Sequence, residues 1–294
     1  MKYVWIREHR DSFPIAMMCD ALGVSTSGYY AATGREPSAR ARRHERIKAA
    51  VAQVHAESHG IYGSLKITQV LGQQDELERA CRNTVATAMR ELGLQSRVRK
   101  AFTPTTTQVD PTKSPAPNTL QRDFTAPAPN RKWVTDITYL ATAQGWVYLA
   151  VVLDLFSRKV VGWSIGHSLA TELVSTALRS AIESRRPAGK ELLHHSDRGS
   201  QYTSEAYQQT LRRLGIECSM SRAGSCYDNA VMERFFWSLK HEWTGHEHFE
   251  NLAAARLSMF KYIETFYNTE RLHQTLGYKS PDKFEAEYAP VVAA

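Results

Sequence analysis

Cysteine is scarce and scattered. Four occur in 294 residues, at positions 19, 81, 218 and 226, and no two form a CxxC pair. That pattern excludes a zinc ribbon and a disulfide framework, and it suits a reducing cytosol. His55, His59 and Cys81 lack a second nearby cysteine, so no zinc is expected. Long apolar runs are missing too. The longest, Trp146 to Leu153, falls far short of the roughly 20 residues that span a bilayer. Charged residues follow Met1-Lys2-Tyr3 within ten positions, so neither a signal peptide nor a membrane partner is expected. Acids are outnumbered, 30 Asp and Glu against 37 Lys and Arg, and the net charge of +7 points to a polyanionic partner. No internal repeat is evident. The 43% hydrophobic content is that of an ordinary globular chain, long enough for two or three domains.

Residues 13–32, FPIAMMCDALGVSTSGYYAA, read as two short helices split at Gly23. Ile15, Met18, Cys19 and Leu22 recur at helical spacing, and Ser25 is placed to cap the second helix. This is helix-turn-helix grammar, although a small α-hairpin packed on its neighbour would read the same way. GREPSA at 34–39 is a linker. After it, Ile47, Val51 and Val54 give one apolar helical face, with Arg40, Arg42, Arg43, Arg46 and Lys48 on the rest of that helix. A further helix from Ser64 to Leu71 is expected to bury Leu65, Ile67, Val70 and Leu71. Another from Asn83 to Leu92 turns Val85, Met89 and Leu92 inward and ends at Gly93. Residues 40–100 carry twelve Lys and Arg against six acids, nearly all of the excess charge. A solvated face gives the same count. Its coincidence with the helix pattern favours a surface that tracks phosphates, with Arg42, Arg43, Arg97, Arg99 and Lys100 as candidate contacts.

The Pro- and Thr-rich stretch 103–130 reads as an extended linker. Beyond it, WVTDITYL, WVYLAVVLDLF and KVVGWSIGH are β-rich runs with short polar breaks, which implies antiparallel hairpins. A helix over Thr171–Ser184, a strand LLHHSD, a helix over Ser204–Leu214, a strand IECSMS, a loop at Gly224-Ser225 and the helix of DNAVMERFFWSLKHEW follow. Leu252 to Leu272 reads as a long helix whose stripe of Leu257, Phe260, Ile263, Phe266 and Tyr267 is core packing.

Asp197 closes the strand LLHHSD, where open α/β sheets carry chemistry. It reads equally well as a helix cap. Asp136 lies within a strand-like run and Glu233 on a helix, with 35 residues between Asp197 and Glu233. Carboxylates converging from two strands and a helix are the ligand type that hard divalent cations prefer, and a pair of such ions clamps the two reacting oxygens of a phosphodiester.

The segments WVTDITYL, GWVYLAVVLDLFSRKVVGW, HHSDRGSQYTS, YDNAVMERFFWSLKHE and YIETFYNTERLHQTLGYKSP occur in this order over most of Trp133–Pro281. Taken together they resemble the second-reading-frame (OrfB) transposases of the IS3 family of insertion sequences, which have a retroviral-integrase-type DDE core. The resemblance, with the element order, implies an α/β fold: a ribonuclease-H-like integrase catalytic core with a mixed five-stranded sheet, preceded by an α-helical helix-turn-helix DNA-binding region. The expected division is 1–36 helix-turn-helix segment, 37–102 basic helical domain, 103–130 linker, 131–247 catalytic core and 248–294 C-terminal helix and tail.

The resemblance further implies metal-dependent DNA 3′-end cleavage and strand transfer. Asp136, Asp197 and Glu233 would hold two Mg2+ (or Mn2+) ions. The partners would be double-stranded DNA (the element's terminal inverted repeats and the target), a first-reading-frame (OrfA) protein or a fusion with it, and further copies of the chain on DNA, in the bacterial cytoplasm at the nucleoid. Lys240, seven residues after Glu233, matches a basic DNA contact of related integrases. Asn229, one turn before Glu233, would orient the carboxylate or a nucleotide, and Arg198 and Arg222 would meet phosphates; each is also an ordinary surface or packing residue. Arg271 and His273 either touch DNA or close the fold. Asp154 lies outside the triad and is expected in a turn or salt bridge with Arg158, and His194 and His195 alternate faces without binding metal. A ribonuclease-H-type nuclease without strand joining and a non-catalytic DNA-binding regulator are the competing functions.

Overall fold

The computed structural model describes residues 1–34, 36, 38–97, 115–187, 191–222 and 225–292. It divides into two compact units, Met1–Ala56 with Ile67–Leu94, and Glu57–Lys66 with Gln95–Ala294.

The first unit is helical. Helices α1 (Lys2–Glu8), α2 (Ile15–Ala21) and α3 (Thr26–Thr33) enclose a small core of Ile6, Met18, Cys19 and Tyr29. The break between α2 and α3 falls where the sequence places it. Gly23 takes a left-handed φ of 61°, and Ser25 Oγ accepts the Gly28 N–H at 3.0 Å. Helix α1 has no counterpart among the expected elements. Helix α4 (Ala39–Glu57) buries Ile47, Ala50, Val51 and Val54; α5 (Ser64–Gln73) buries Ile67 and Leu71; α6 (Arg82–Glu91) buries Val85, Ala88 and Met89. Leu65 and Leu92 were expected inside, but both are exposed. Each sits at a helix end, where the chain turns away and spacing no longer dictates burial.

The second unit is built on a five-stranded sheet of order β3-β2-β1-β4-β5. Strands β1 (Lys132–Thr142), β2 (Gly145–Asp154) and β3 (Val160–Gly166) form an antiparallel meander, because breaks of a few residues permit only hairpins. Strands β4 (Leu193–Ser196) and β5 (Glu217–Met220) run parallel to β1 and are reached through α7 (Thr171–Arg185) and α8 (Glu205–Arg213), the crossovers that parallel pairing needs. Trp133, Ala150, Val152, Val174, Leu178, Tyr207 and Leu211 belong to the main core between sheet and helices. Gly162 lets α7 lie directly on β3, since a Cβ there would come 2.6 Å from Ala181 N.

Helix α9 (Ala230–Ser238) runs on into a π-turn, Leu239–Trp243, and α10 (Leu252–Phe260) into a second one, Lys261–Tyr267; α11 (Pro281–Val292) ends the described chain. The long C-terminal helix thus stops near Tyr267, short of Leu272. Ile263, Phe266 and Tyr267 are buried as the stripe requires, whereas Leu257 and Phe260 are exposed and Ala255, Ser258 and Met259 take the inner face. The π-turn rotates the two halves of the helix relative to each other, so no single 3.6-residue stripe describes both. Asp154 is fully buried and does make a turn and an ion pair, but the ion pair is with Arg185 at 3.8 Å, while Arg158 feels its charge from farther off. The Arg158 guanidinium donates instead to the Phe124 carbonyl at 3.0 Å.

The described part of the Pro-rich stretch, 115–130, lies on this unit. Leu120 is buried, and its N–H donates to Ser219 Oγ at 3.1 Å. Among the described residues no helix is long and apolar enough to cross a membrane.

Candidate active site

Parallel pairing sets the first two carboxylates. Trp133 stands beside His194 and Val134 beside His195, and the same register carries Asp136 to the level of Asp197, just past the end of β4. Both side chains are half-buried. Asp136 Oδ1 accepts the Ile137 N–H at 2.8 Å, and Asp197 Oδ1 accepts the Gly199 N–H at 2.9 Å. Burial, with the nearby Asp197 and then Glu233, pushes the Asp136 carboxyl well above the usual carboxylate range.

Helix α9 packs against β1. At its start the Asn229 amide donates to the Thr135 carbonyl at 3.1 Å, one residue before Asp136. Beyond its end, Lys240 Nζ lies 4.4 Å from the centre of the Tyr139 ring, three residues after Asp136. Glu233, one turn beyond Asn229, lies between these two anchors and is exposed. Burial lowers the Lys240 pKa, and the neighbouring Asp136 opposes that shift. Among the described residues no three His, Cys, Asp or Glu side chains stand close enough together to hold a metal ion. The donor chemistry of Asp136 and Asp197 fits a divalent cation, since a buried carboxyl that is costly to ionise beside a second carboxyl is stabilised by a shared positive charge.

The loop leading into α9 is held by Asp228, a residue the sequence reading passed over. It is fully buried and accepts Arg222 Nε at 3.0 Å, the Arg222 N–H at 3.0 Å, Arg122 Nε at 2.7 Å and Asn118 Nδ2 at 2.9 Å. The Arg222 guanidinium holds its carboxyl well below the usual range against the opposing effect of burial. Its spacing from Glu233 signals nothing by periodicity, because its partners come from the Pro-rich stretch and from the loop itself.

The remaining candidates are dispersed. Arg198 Nε donates to the Ser221 carbonyl at 2.7 Å. Arg271 is 6% exposed and chelates Glu242 through two nitrogens. His273 is half-buried and stands 3.4 Å from an Arg271 nitrogen. Of the two buried histidines, His194 pairs through Nε2 with Tyr207 Oη at 3.0 Å, and His195 lies between Ser219 Oγ at 2.8 Å and Ser221 Oγ at 3.1 Å. In the helical unit, Arg42 is exposed and meets Glu36 at 3.3 Å, whereas Arg43 and Arg46 share Glu78. Arg97 is exposed and belongs to the second unit. Arg99 and Lys100 lie outside the described residues.

Comparison with known proteins bears on this arrangement. Residues 126–226 and 214–281 each match an integrase core domain model, and 42–102 match an HTH-like domain. The transposase InsF for insertion sequence IS3A of Escherichia coli (strain K12) is 39% identical over 287 residues, 97% of this chain and 98% of that protein. The insertion element IS600 uncharacterized 31 kDa protein of Shigella sonnei is 38% identical over 94% of this chain and its own full length. Among solved structures, a simian T-cell lymphotropic virus intasome in complex with PP2A regulatory subunit B56 gamma aligns at TM-score 0.46 and 17% identity, covering 80% of this chain and 74% of that one. The chain therefore belongs to the IS3-family transposases of insertion sequences, with an integrase core and an HTH-like DNA-binding region.

Proposed function

We propose that this transposase cleaves DNA at the 3′ ends of its element and joins those ends to target DNA by phosphodiester transesterification, using Asp136, Asp197 and Glu233 as ligands for two Mg2+ (or Mn2+) ions. When bound, the ions supply an activated water or 3′-hydroxyl and stabilise the departing 3′-oxygen. The protein's own part is to position groups rather than to react covalently. Asp136 and Asp197 present adjacent carboxylates at one level of the sheet. Glu233 joins them from α9 on a side-chain movement, since the three do not form a cluster as they stand. Lys240, half-buried and packed on Tyr139, directs its ammonium toward the phosphate that the carboxylates flank. Arg42, Arg43, Arg97, Arg99 and Lys100 hold the terminal repeats through phosphates. A first-reading-frame protein, separate or fused, and further copies of the chain bring two ends together.

The observation that carries this reading is the parallel register that sets Asp136 on β1 level with Asp197 just past β4, with burial and the Asp197 charge raising the Asp136 carboxyl. The test is an end-joining assay with labelled terminal DNA and unlabelled target, with and without divalent metal. Label should become covalently attached to target only with metal, and Asp197→Asn should abolish cutting and joining while DNA affinity stays intact. Released ends without any joined product would leave a hydrolytic nuclease and sink the proposal.

A further inference from the structure

The helix that carries Glu233 is fixed at both ends by buried charge. At its entrance stands Asp228 with its two arginines. Past its far end, Arg271 donates from Nε to Glu242 Oε2 at 2.6 Å and from a terminal nitrogen to Glu242 Oε1 at 2.6 Å, and also to Ser238 Oγ at 3.2 Å. Ser238 is the last residue of α9, and Glu242 lies in the π-turn that continues it. All three are nearly inaccessible, at 3%, 8% and 6% exposure for Ser238, Glu242 and Arg271. The segment that supplies Arg271 is itself held, because Tyr62 Oη donates to the Glu270 carbonyl at 3.2 Å and accepts the Leu272 N–H at 2.9 Å. The guanidinium is thus flanked by two backbone groups clamped to one tyrosine, and its planar fork fixes both the distance and the angle of the carboxylate it holds.

A buried ion pair of this kind is weak evidence for a stabilising role, because an apolar pair of similar volume serves stability as well. What it supplies is a single geometry. A π-turn re-aims the side chains that follow it, and the one beyond α9 holds both Lys240 and Glu242. We propose that the Arg271–Glu242 pair is a positioning device for α9, setting where the Glu233 carboxylate comes to rest beside Asp136 and Asp197. The proposal rests on Glu233 belonging to the catalytic set. Arg271 acts only through the helix and touches neither DNA nor metal.

The test compares the full-length wild-type chain, Arg271→Lys, and the double variant Glu242→Leu with Arg271→Met. Four quantities are read: melting temperature, affinity for terminal DNA, the turnover rate of end joining, and the rise in melting temperature on adding Ca2+ in the absence of DNA. Arg271→Lys keeps the charge and loses the fork. The double variant keeps the volume and loses both charges. Both are expected to bind DNA within about twofold of wild type, yet turn over at least about tenfold more slowly. Both should also need several-fold more Ca2+ for the same thermal shift, because the third carboxylate is misplaced. A double variant that melts, responds to Ca2+ and joins ends like wild type overturns the proposal. So does a loss of turnover in Arg271→Lys that only mirrors equal losses of melting temperature and DNA affinity, since that marks a purely structural pair. A wild-type chain that joins no ends would indict the functional reading instead, and the wild-type control keeps the two failures apart.

Discussion

The Asn229 amide donates to the Thr135 carbonyl at 3.1 Å, which ties the first turn of the Glu233 helix to the residue preceding Asp136. Asn229 is 5% exposed, and its Oδ1 is buried without a hydrogen-bond partner. Asn229→Ala should cost about 1 kcal/mol in urea unfolding, the usual net loss of one buried hydrogen bond. End joining should fall more than that stability loss explains. Asn229→Asp adds a negative charge beside Asp136 and should be the worse of the two. Equal unfolding midpoints for wild type and Asn229→Ala would refute the tether.

The Asp228 cluster predicts non-additivity. Arg122→Ala and Arg222→Ala each leave one guanidinium on the carboxylate, whereas the double variant leaves a buried charge with neutral donors alone. The double variant should lower the melting temperature by more than the sum of the single changes. Strictly additive shifts would show that the two arginines act independently of Asp228.

His194 sets an acid limit on stability. Its ring is fully buried, and burial pushes its pKa down to about 3 from an ordinary value near 6.5. A depressed folded-state pKa means that the unfolded chain binds the extra proton. The stabilisation is complete above about pH 6.5 and is lost as pH falls toward 3, at up to about 1.4 kcal/mol per pH unit. His195, pushed down to about 4 by burial, adds in the same direction. His194→Gln keeps a donor for Tyr207 Oη and should flatten the fall in melting temperature between pH 6.5 and 4. Parallel pH curves for variant and wild type would assign the loss to other groups.

The arginines of α4 should differ in their effect on DNA. Arg42 is exposed and meets the exposed Glu36, while Arg43 also donates to the Arg79 carbonyl and shares Glu78 with Arg46. In fluorescence anisotropy titrations at several salt concentrations, Arg42→Ala should reduce the salt slope of binding by about 1, with a smaller change for Arg43→Ala. A larger effect at Arg43 would show that DNA displaces Glu78.

The meander, the crossover helices and the break at Gly23 were legible because each rests on local chemistry: β-rich runs with short polar breaks, helical periodicity, and a serine cap. Helix ends were less legible. Leu65 and Leu92 share the spacing of their buried neighbours, but burial is decided by what lies opposite, and nothing lies opposite the end of a helix. The exposed Leu257 and Phe260 failed for a different reason: a π-turn changes the angular period, and local sequence does not announce one. The Asp154–Arg185 pair was missed because sequence nearness favoured Arg158, whose left-handed backbone at φ 61° belongs to the turn after β2 and whose guanidinium binds Phe124 instead.

The sequence by itself determined the family, the residue types available for chemistry and the order of the elements, because these depend on motif, composition and short-range pairing. Tertiary structure alone decided which of the charged residues are spent internally. Arg271 and Asp228 look as available on paper as Lys240 does, and only the packing of distant segments buries the first two against opposite charge. The same packing brings Asp136 level with Asp197 and lays α9 alongside them, since a parallel register and a helix-on-strand contact are relations between segments far apart in the chain.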